Sequence, residues 1–217
     1  DRQKYRTCQQ CRPGEVLGLV YFSPFPPNCF RIYLMWKSAS LLVFLYLFVP
    51  GCLGGNPRVL YLGDSNSLTG FGQAVEAILR HDGVDVFAVV DRGAGPYHWL
   101  KEYQHFHGDS EYWEKTATAE RHVFSKRLVP KIDHLIDEIR PNVVVIQAGT
   151  SLYGILRSKR RTKEANIAEV RDLVRSLSQS VVETGANTYW ILPPQSHERL
   201  PPAELQAESA RTITGVV

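Results

Sequence analysis

A serine set directly between a β-strand and a helix is a candidate nucleophile, and Ser65 in Gly63-Asp64-Ser65-Asn66 has that setting. At such a rim its hydroxyl lies among the free N–H groups that begin a helix. Those groups and the helix dipole can hold a developing oxyanion. The plainer reading of the tetrapeptide is a helix N-cap, which Asp and Ser both make well. A nucleophilic serine also needs a base, because its hydroxyl attacks poorly unaided at neutral pH. The seven histidines, His81, His98, His105, His107, His122, His134 and His197, are the candidates for that base, and a carboxylate near one in sequence could orient it. His105 has Glu102 three residues before it but lies in an aromatic, polar stretch from Tyr97 to Trp113, expected as a covering loop or short helix. His197, with Glu198 beside it, falls just past the last strand on the rim that carries Ser65, which makes it a candidate base or a polar loop residue.

The elements that must position these residues alternate along the chain. Arg58 to Leu62 is a β-branched and aliphatic run, and Thr69 to Arg80 has Phe71, Val75, Ile78 and Leu79 at helical spacing. Val84 to Val90 reads as a second strand, and Leu128 to Ile139 as a helical stripe. Asn142 to Ile146 is almost wholly apolar, as a parallel strand buried on both faces must be. Glu164 to Glu183 is a long amphipathic helix closed by Gly185, and Thr188 to Leu192 is a fourth strand stopped by Pro193-Pro194. A last helix is expected from near Pro202. Strands separated by helices imply an α/β sandwich of three layers with a mainly parallel sheet, and such sheets build their sites at the carboxyl ends of the strands.

Over Arg58 to about Gln195 the chain resembles the SGNH (GDSL-type) hydrolases, a superfamily of lipases, esterases and carbohydrate deacetylases. The resemblance implies Ser65 as nucleophile, with its own N–H in the oxyanion hole. It implies a second N–H from a glycine after the second strand, where Val90-Asp91-Arg92-Gly93-Ala94-Gly95 offers Gly93 first and Gly95 as the alternative. The family also uses a Gly-x-Asn after the third strand. Here Gly149-Thr150-Ser151 puts Ser151 in the place of that Asn, so Ser151 or Thr150 substitutes or the rate suffers; Asn66 is a remoter replacement. Loss of one oxyanion donor typically costs ~10²–10³ in rate. The family's Asp-x-x-His is missing from this sequence. A further strand and that motif are expected in sequence beyond Val217, and the 217 residues alone are expected to be nearly inactive.

The sole methionine, Met35, opens a different pattern: Lys37, an apolar run from Ala39 to Val49, then Pro50-Gly51-Cys52. A short positive region and an apolar region within the usual ~7–15 residues read as a secretory signal. The residues before Cys52 resemble the lipobox of bacterial lipoproteins, which implies lipidation of Cys52 and anchorage to a membrane surface. The expected organisation is an upstream extension over 1–34, a signal over 35–51, a tether over 52–57 and the hydrolase-like domain over 58–217. Cys8 and Cys11 form a lone CxxC with no second ligand pair and no thioredoxin-like context.

Composition narrows the partners. Lys+Arg 25 against Asp+Glu 22 leaves a net charge of +3, too little to suggest a nucleic-acid binder. No apolar run reaches the ~18 residues of a membrane span. Four Cys in 217 residues make no disulfide scaffold. Gly63-Asp64-Ser65 matches no phosphate-loop pattern, and no metal or nucleotide cofactor is implied. The basic run from Arg157 to Lys163 reads as a solvated loop or an anion-attracting patch, and Tyr97, His98, Trp99, Tyr103, Phe106, Tyr112 and Trp113 as core, lid or sugar-stacking residues. The expected activity is serine ester hydrolysis on a cell-envelope glycan or lipid. The alternative is a non-catalytic relative that binds envelope glycans.

Overall fold

The structure is a computed structural model, and it describes residues 20–21, 57–100, 103–104, 111–125, 127–192 and 201–217. In chain order the strands and helices are β1 (Val20–Tyr21), β2 (Arg58–Gly63), α1 (Gly70–Arg80), β3 (Asp85–Asp91), α2 (Pro96–Leu100), β4 (Tyr103–Gln104), β5 (Glu111–Lys115), β6 (Glu120–Phe124), β7 (Leu128–Val129), α3 (Ile132–Ile139), β8 (Val143–Gln147), α4 (Tyr153–Leu156), α5 (Lys163–Val182), β9 (Asn187–Ile191) and α6 (Ala203–Thr214). Met35, Cys8, Cys11, Cys52, His105, His107 and His197 lie outside the described residues.

Seven strands form one mixed sheet in the order β1-β9-β8-β2-β3-β5-β6. Strand β2 runs parallel to both β3 and β8, and β8 runs parallel to β9. Central β2 is covered on both faces, which explains its unbroken apolar run. Leu60 and Leu62 face one core with Val144, Ile146, the α3 stripe of Ile132, Leu135, Ile136 and Ile139, and the α5 stripe of Val170, Val174, Leu177 and Val181. Val59 and Tyr61 face the other with Val86, Ala88, Val90 and Val145, against Val75 and Leu79 of α1. Helix α1 therefore covers one face, α3 and α5 the other, with Ile213 of α6 joining that second core. This is the expected three-layer α/β sandwich.

Two sequence expectations need correction. The helical stripe from Leu128 is shorter than its periodicity suggests: Leu128–Val129 is a strand paired with Tyr103–Gln104, and the helix begins only at Ile132. Pro130 is the reason, because a residue before proline is pushed out of the α region. The aromatic stretch up to Trp113 is not all loop or helix. It ends in β5, which joins the main sheet antiparallel to β3 and makes a hairpin with β6. The hairpin is held by pairs that a period-two hydrophobic search passes over: Glu114 with Arg121 at 2.7 Å, Trp113 Nε1–H donating to Glu120 at 2.8 Å, and His122 with Glu111 at 2.8 Å. Strand β1 pairs antiparallel with Trp190 and Ile191 at the opposite edge.

Candidate functional site

Strand β2 ends at Gly63, and a single 3-10 turn, Ser65–Leu68, follows at the carboxyl edge of the sheet. Asp64 caps that turn by accepting the Asn66 N–H at 2.9 Å. Ser65 is the first residue of the turn and is half-buried. The turn is held from beneath. Ser67 is fully buried; its hydroxyl hydrogen-bonds the Tyr61 oxygen at 2.9 Å, and the Tyr61 hydroxyl donates its one hydrogen to Gln147 Oε1. Two glycines admit Ser67. A Cβ on Gly63 would stand 2.2 Å from Ser67 Oγ, and one on Gly72 would stand 2.2 Å from the Ser67 backbone.

A second loop leaves β8 beside this one. The Asp64 N–H donates to the Gln147 carbonyl at 2.9 Å, and the Thr150 N–H donates to the Asp64 carboxylate at 3.2 Å. The Thr150 hydroxyl donates to the same carboxylate. Asp64 is 1% exposed, and burial pushes its carboxyl above the usual range, with the Thr150 and Asn66 hydrogen bonds opposing that shift. One buried carboxylate thus binds the loop after β2 to the loop after β8, so Ser65 and Ser151 stand next to its two anchor points.

The third loop, after β3, supplies the glycines. Gly93 has φ 80° in a tight turn closed by the Ala94 N–H donating to the Asp91 carbonyl at 3.0 Å, a conformation that favours glycine, and it is exposed. Gly95 is buried, and a Cβ there would lie 2.3 Å from Ser151 Oγ. It is therefore Gly95 that the fold packs against Ser151. The Gly95 N–H donates to His98 Nδ1 at 3.0 Å, which sets that imidazole as the Nε2–H tautomer.

The hydroxyls expected to stand in for the family's Asn are both committed elsewhere. Ser151 Oγ donates to the Ala148 carbonyl at 2.8 Å, and Thr150 Oγ1 gives its hydrogen to Asp64. A hydroxyl has one hydrogen to give. The Asn66 side chain has no hydrogen-bond partner among the described residues, and it is half-exposed to water. Nor does any described imidazole hydrogen-bond Ser65; His98 and His122 take Gly95 and Glu111 as partners. His197 lies outside the described residues.

Tyr153, at the start of α4, was not singled out by the sequence. It is 8% exposed, and burial raises its phenol to a pKa of about 12, with the negative charge of Asp64 adding to the shift. Its spacing of three from Thr150 could have flagged it. Among the described residues there is no group of three or more His, Cys, Asp or Glu side chains able to hold a metal ion, and no helix long and apolar enough to cross a membrane. In the basic run, Arg161 pairs with Glu169 at 2.6 Å and Lys163 with Glu208 at 2.8 Å.

No family model matches the chain, and no curated protein matches it. Among solved structures, a DUF4886 family protein from Bacteroides uniformis is similar at a TM-score of 0.40 and 10% identity, over 75% of this chain. The chain spans 62% of the length of that protein.

Proposed function

We propose that this chain is a serine ester hydrolase of the SGNH kind, acting on an acyl ester of a cell-envelope glycan or lipid. The observation that carries the reading is the place of Ser65. It opens the first helical turn at the carboxyl end of the central parallel strand, and Asp64 ties that turn to the loop after β8. In this mechanism Ser65 Oγ attacks the ester carbonyl and its proton passes to a base. The tetrahedral oxyanion rests on the N–H groups of Ser65 and Gly93, since those of Ala94 and Gly95 are taken by the Asp91 carbonyl and His98 Nδ1. Its collapse expels the alcohol, and water then releases the acid from the acyl-serine. The base is sought outside the described residues, where His197 lies. The lipobox-like Cys52 supports export and a lipid anchor, so that the site works at a membrane surface.

The test is hydrolysis of a short-chain nitrophenyl ester by the protein and by Ser65→Ala. A slow turnover that the substitution abolishes is expected. Equal rates in both would reject the hydrolase reading. They would favour the second reading, a non-catalytic glycan-binding relative, which the committed hydroxyls of Ser151 and Thr150 support. Intact mass of membrane-fraction protein tests the anchor: a chain beginning at Cys52 and carrying lipid is expected, and an unprocessed N-terminus would reject it.

A further inference from the structure

Among the buried side chains of the rim, Gln147 Nε2 and Trp99 Nε1 lack hydrogen-bond partners but are sealed from water, whereas the Tyr153 hydroxyl is uncommitted and not sealed. Thr150–Leu152 is a 3-10 turn that runs into α4 at Tyr153, and the Tyr153 N–H closes that turn by donating to the Thr150 carbonyl. In such a turn side chains three apart eclipse one another. Thr150 faces Asp64, as its two hydrogen bonds show, so Tyr153 shares the face turned toward the loop that carries Ser65. Its ring is packed away, but its hydroxyl is not among the sealed polar atoms and has no hydrogen-bond partner among the described residues. A phenol held here serves no fold-stabilising bond. Asn66 is also uncommitted, but it is only partly buried and can be satisfied by water.

We propose that the Tyr153 hydroxyl is the side-chain oxyanion donor of this site, giving its hydrogen bond to the developing oxyanion in place of the Asn that the Gly149-Thr150-Ser151 loop lacks. This rests on the hydrolase reading above. The phenol keeps its proton across the whole working pH range, because burial and the Asp64 charge both oppose its ionisation. Tyrosine is a recognised donor in such holes, and an interaction made mainly in the transition state lowers kcat rather than raising KM when it is removed.

The experiment compares the full chain with Tyr153→Phe, Asn66→Ala and Ser65→Ala. It measures nitrophenyl ester turnover and the rate at which an alkyl fluorophosphonate labels Ser65. In labelling, the Ser65 oxygen bonds to phosphorus, fluoride leaves and the hydroxyl proton passes to solvent. Tyr153→Phe is expected to lower kcat and the labelling rate by about 10²-fold. KM and the melting temperature should stay near those of the unsubstituted chain. Full activity in Tyr153→Phe, beside an inactive Ser65→Ala, overturns this inference and leaves the hydrolase reading standing. A larger loss in Asn66→Ala than in Tyr153→Phe also overturns it, as does a fall in melting temperature that matches the fall in rate. Absence of any Ser65-dependent turnover or labelling removes the hydrolase reading and this inference with it.

Discussion

The buried carboxylate of Asp64 accepts both the N–H and the hydroxyl of Thr150, 86 residues away. Two loops from neighbouring parallel strands are thereby fixed to one another at the point where the nucleophile candidate begins its turn. The same aspartate that the sequence offers as a helix cap is also the cross-tie between the strand ends.

That cross-tie has a pH signature. Burial raises the Asp64 carboxyl, so the folded state holds its proton more tightly than the unfolded chain does. The contribution of Asp64 to stability is then fully present below the ordinary carboxylate range and declines as pH rises through the folded value. Asp64→Asn, which carries no titrating proton, should gain on the unsubstituted protein as pH rises from about 4 toward 7. Melting temperatures of both across that range check it, and a difference that stays flat or runs the other way rejects it.

The clamp on Ser67 separates two kinds of collision. Gly72 lies inside α1, where Gly→Ala ordinarily stabilises by about 1 kcal/mol. Here a Cβ would meet the Ser67 backbone at 2.2 Å, so Gly72→Ala should destabilise by about 1–3 kcal/mol instead. No change of side chain at Ser67 can relieve that clash. Gly63→Ala collides chiefly with the Ser67 side chain, so adding Ser67→Gly should restore part of its stability. Denaturant titration of the singles and of both doubles decides; equal rescue of Gly63→Ala and Gly72→Ala by Ser67→Gly would contradict the packing.

Much of this framework is legible before any coordinates. Strands β2, β3 and β8 announce themselves because burial on both faces demands an apolar run, and Val143–Gln147 is the plainest case, whereas β9 buries only Trp190 and is legible from its β-branched and aromatic residues. Ser65 is legible because a strand, a glycine and a helical stripe bracket it. The β5–β6 hairpin is not, since charged and aromatic pairs across the two strands replace hydrophobic alternation. The β7 strand hides inside a helical periodicity that only Pro130 interrupts. Within the site, the two glycines of the β3 loop look interchangeable in sequence. Their difference lies in a tertiary contact, Gly95 against Ser151, that no local pattern encodes. The commitment of Ser151 and Thr150 to other acceptors is likewise a property of the folded loops alone.

The contact between Gly95 and Ser151 should appear as coupling. Gly95→Ala places a methyl 2.3 Å from Ser151 Oγ and must turn that side chain away from the Ala148 carbonyl. A cost of about 1–3 kcal/mol is expected. In Ser151→Gly the obstructing atoms are gone, so the double substitution should be less destabilised than the sum of the singles, by about 0.5 kcal/mol or more. Additive losses in a double-mutant cycle would show that the two residues do not touch.

Glu76 gives the opposite pH behaviour to Asp64, and the contrast tests the electrostatics of the fold as a whole. Its side chain is nearly buried on α1, hydrogen-bonded to Arg80 one turn on and to Lys115 of β5 at 2.9 Å. Burial alone would raise its carboxyl, but the two cations outweigh burial and hold it below the usual range. A lowered carboxyl contributes stability that is present above the unfolded value and is lost as pH falls through the folded one. The protein should therefore lose stability on acidification partly through this residue. Glu76→Gln should be less stable at neutral pH, because Arg80 and Lys115 lose the charge between them. The gap should then narrow as pH drops from about 6 to about 3. Thermal melts of the two proteins over that range supply the measurement; a gap that widens on acidification would mean that burial, not the cation pair, governs Glu76.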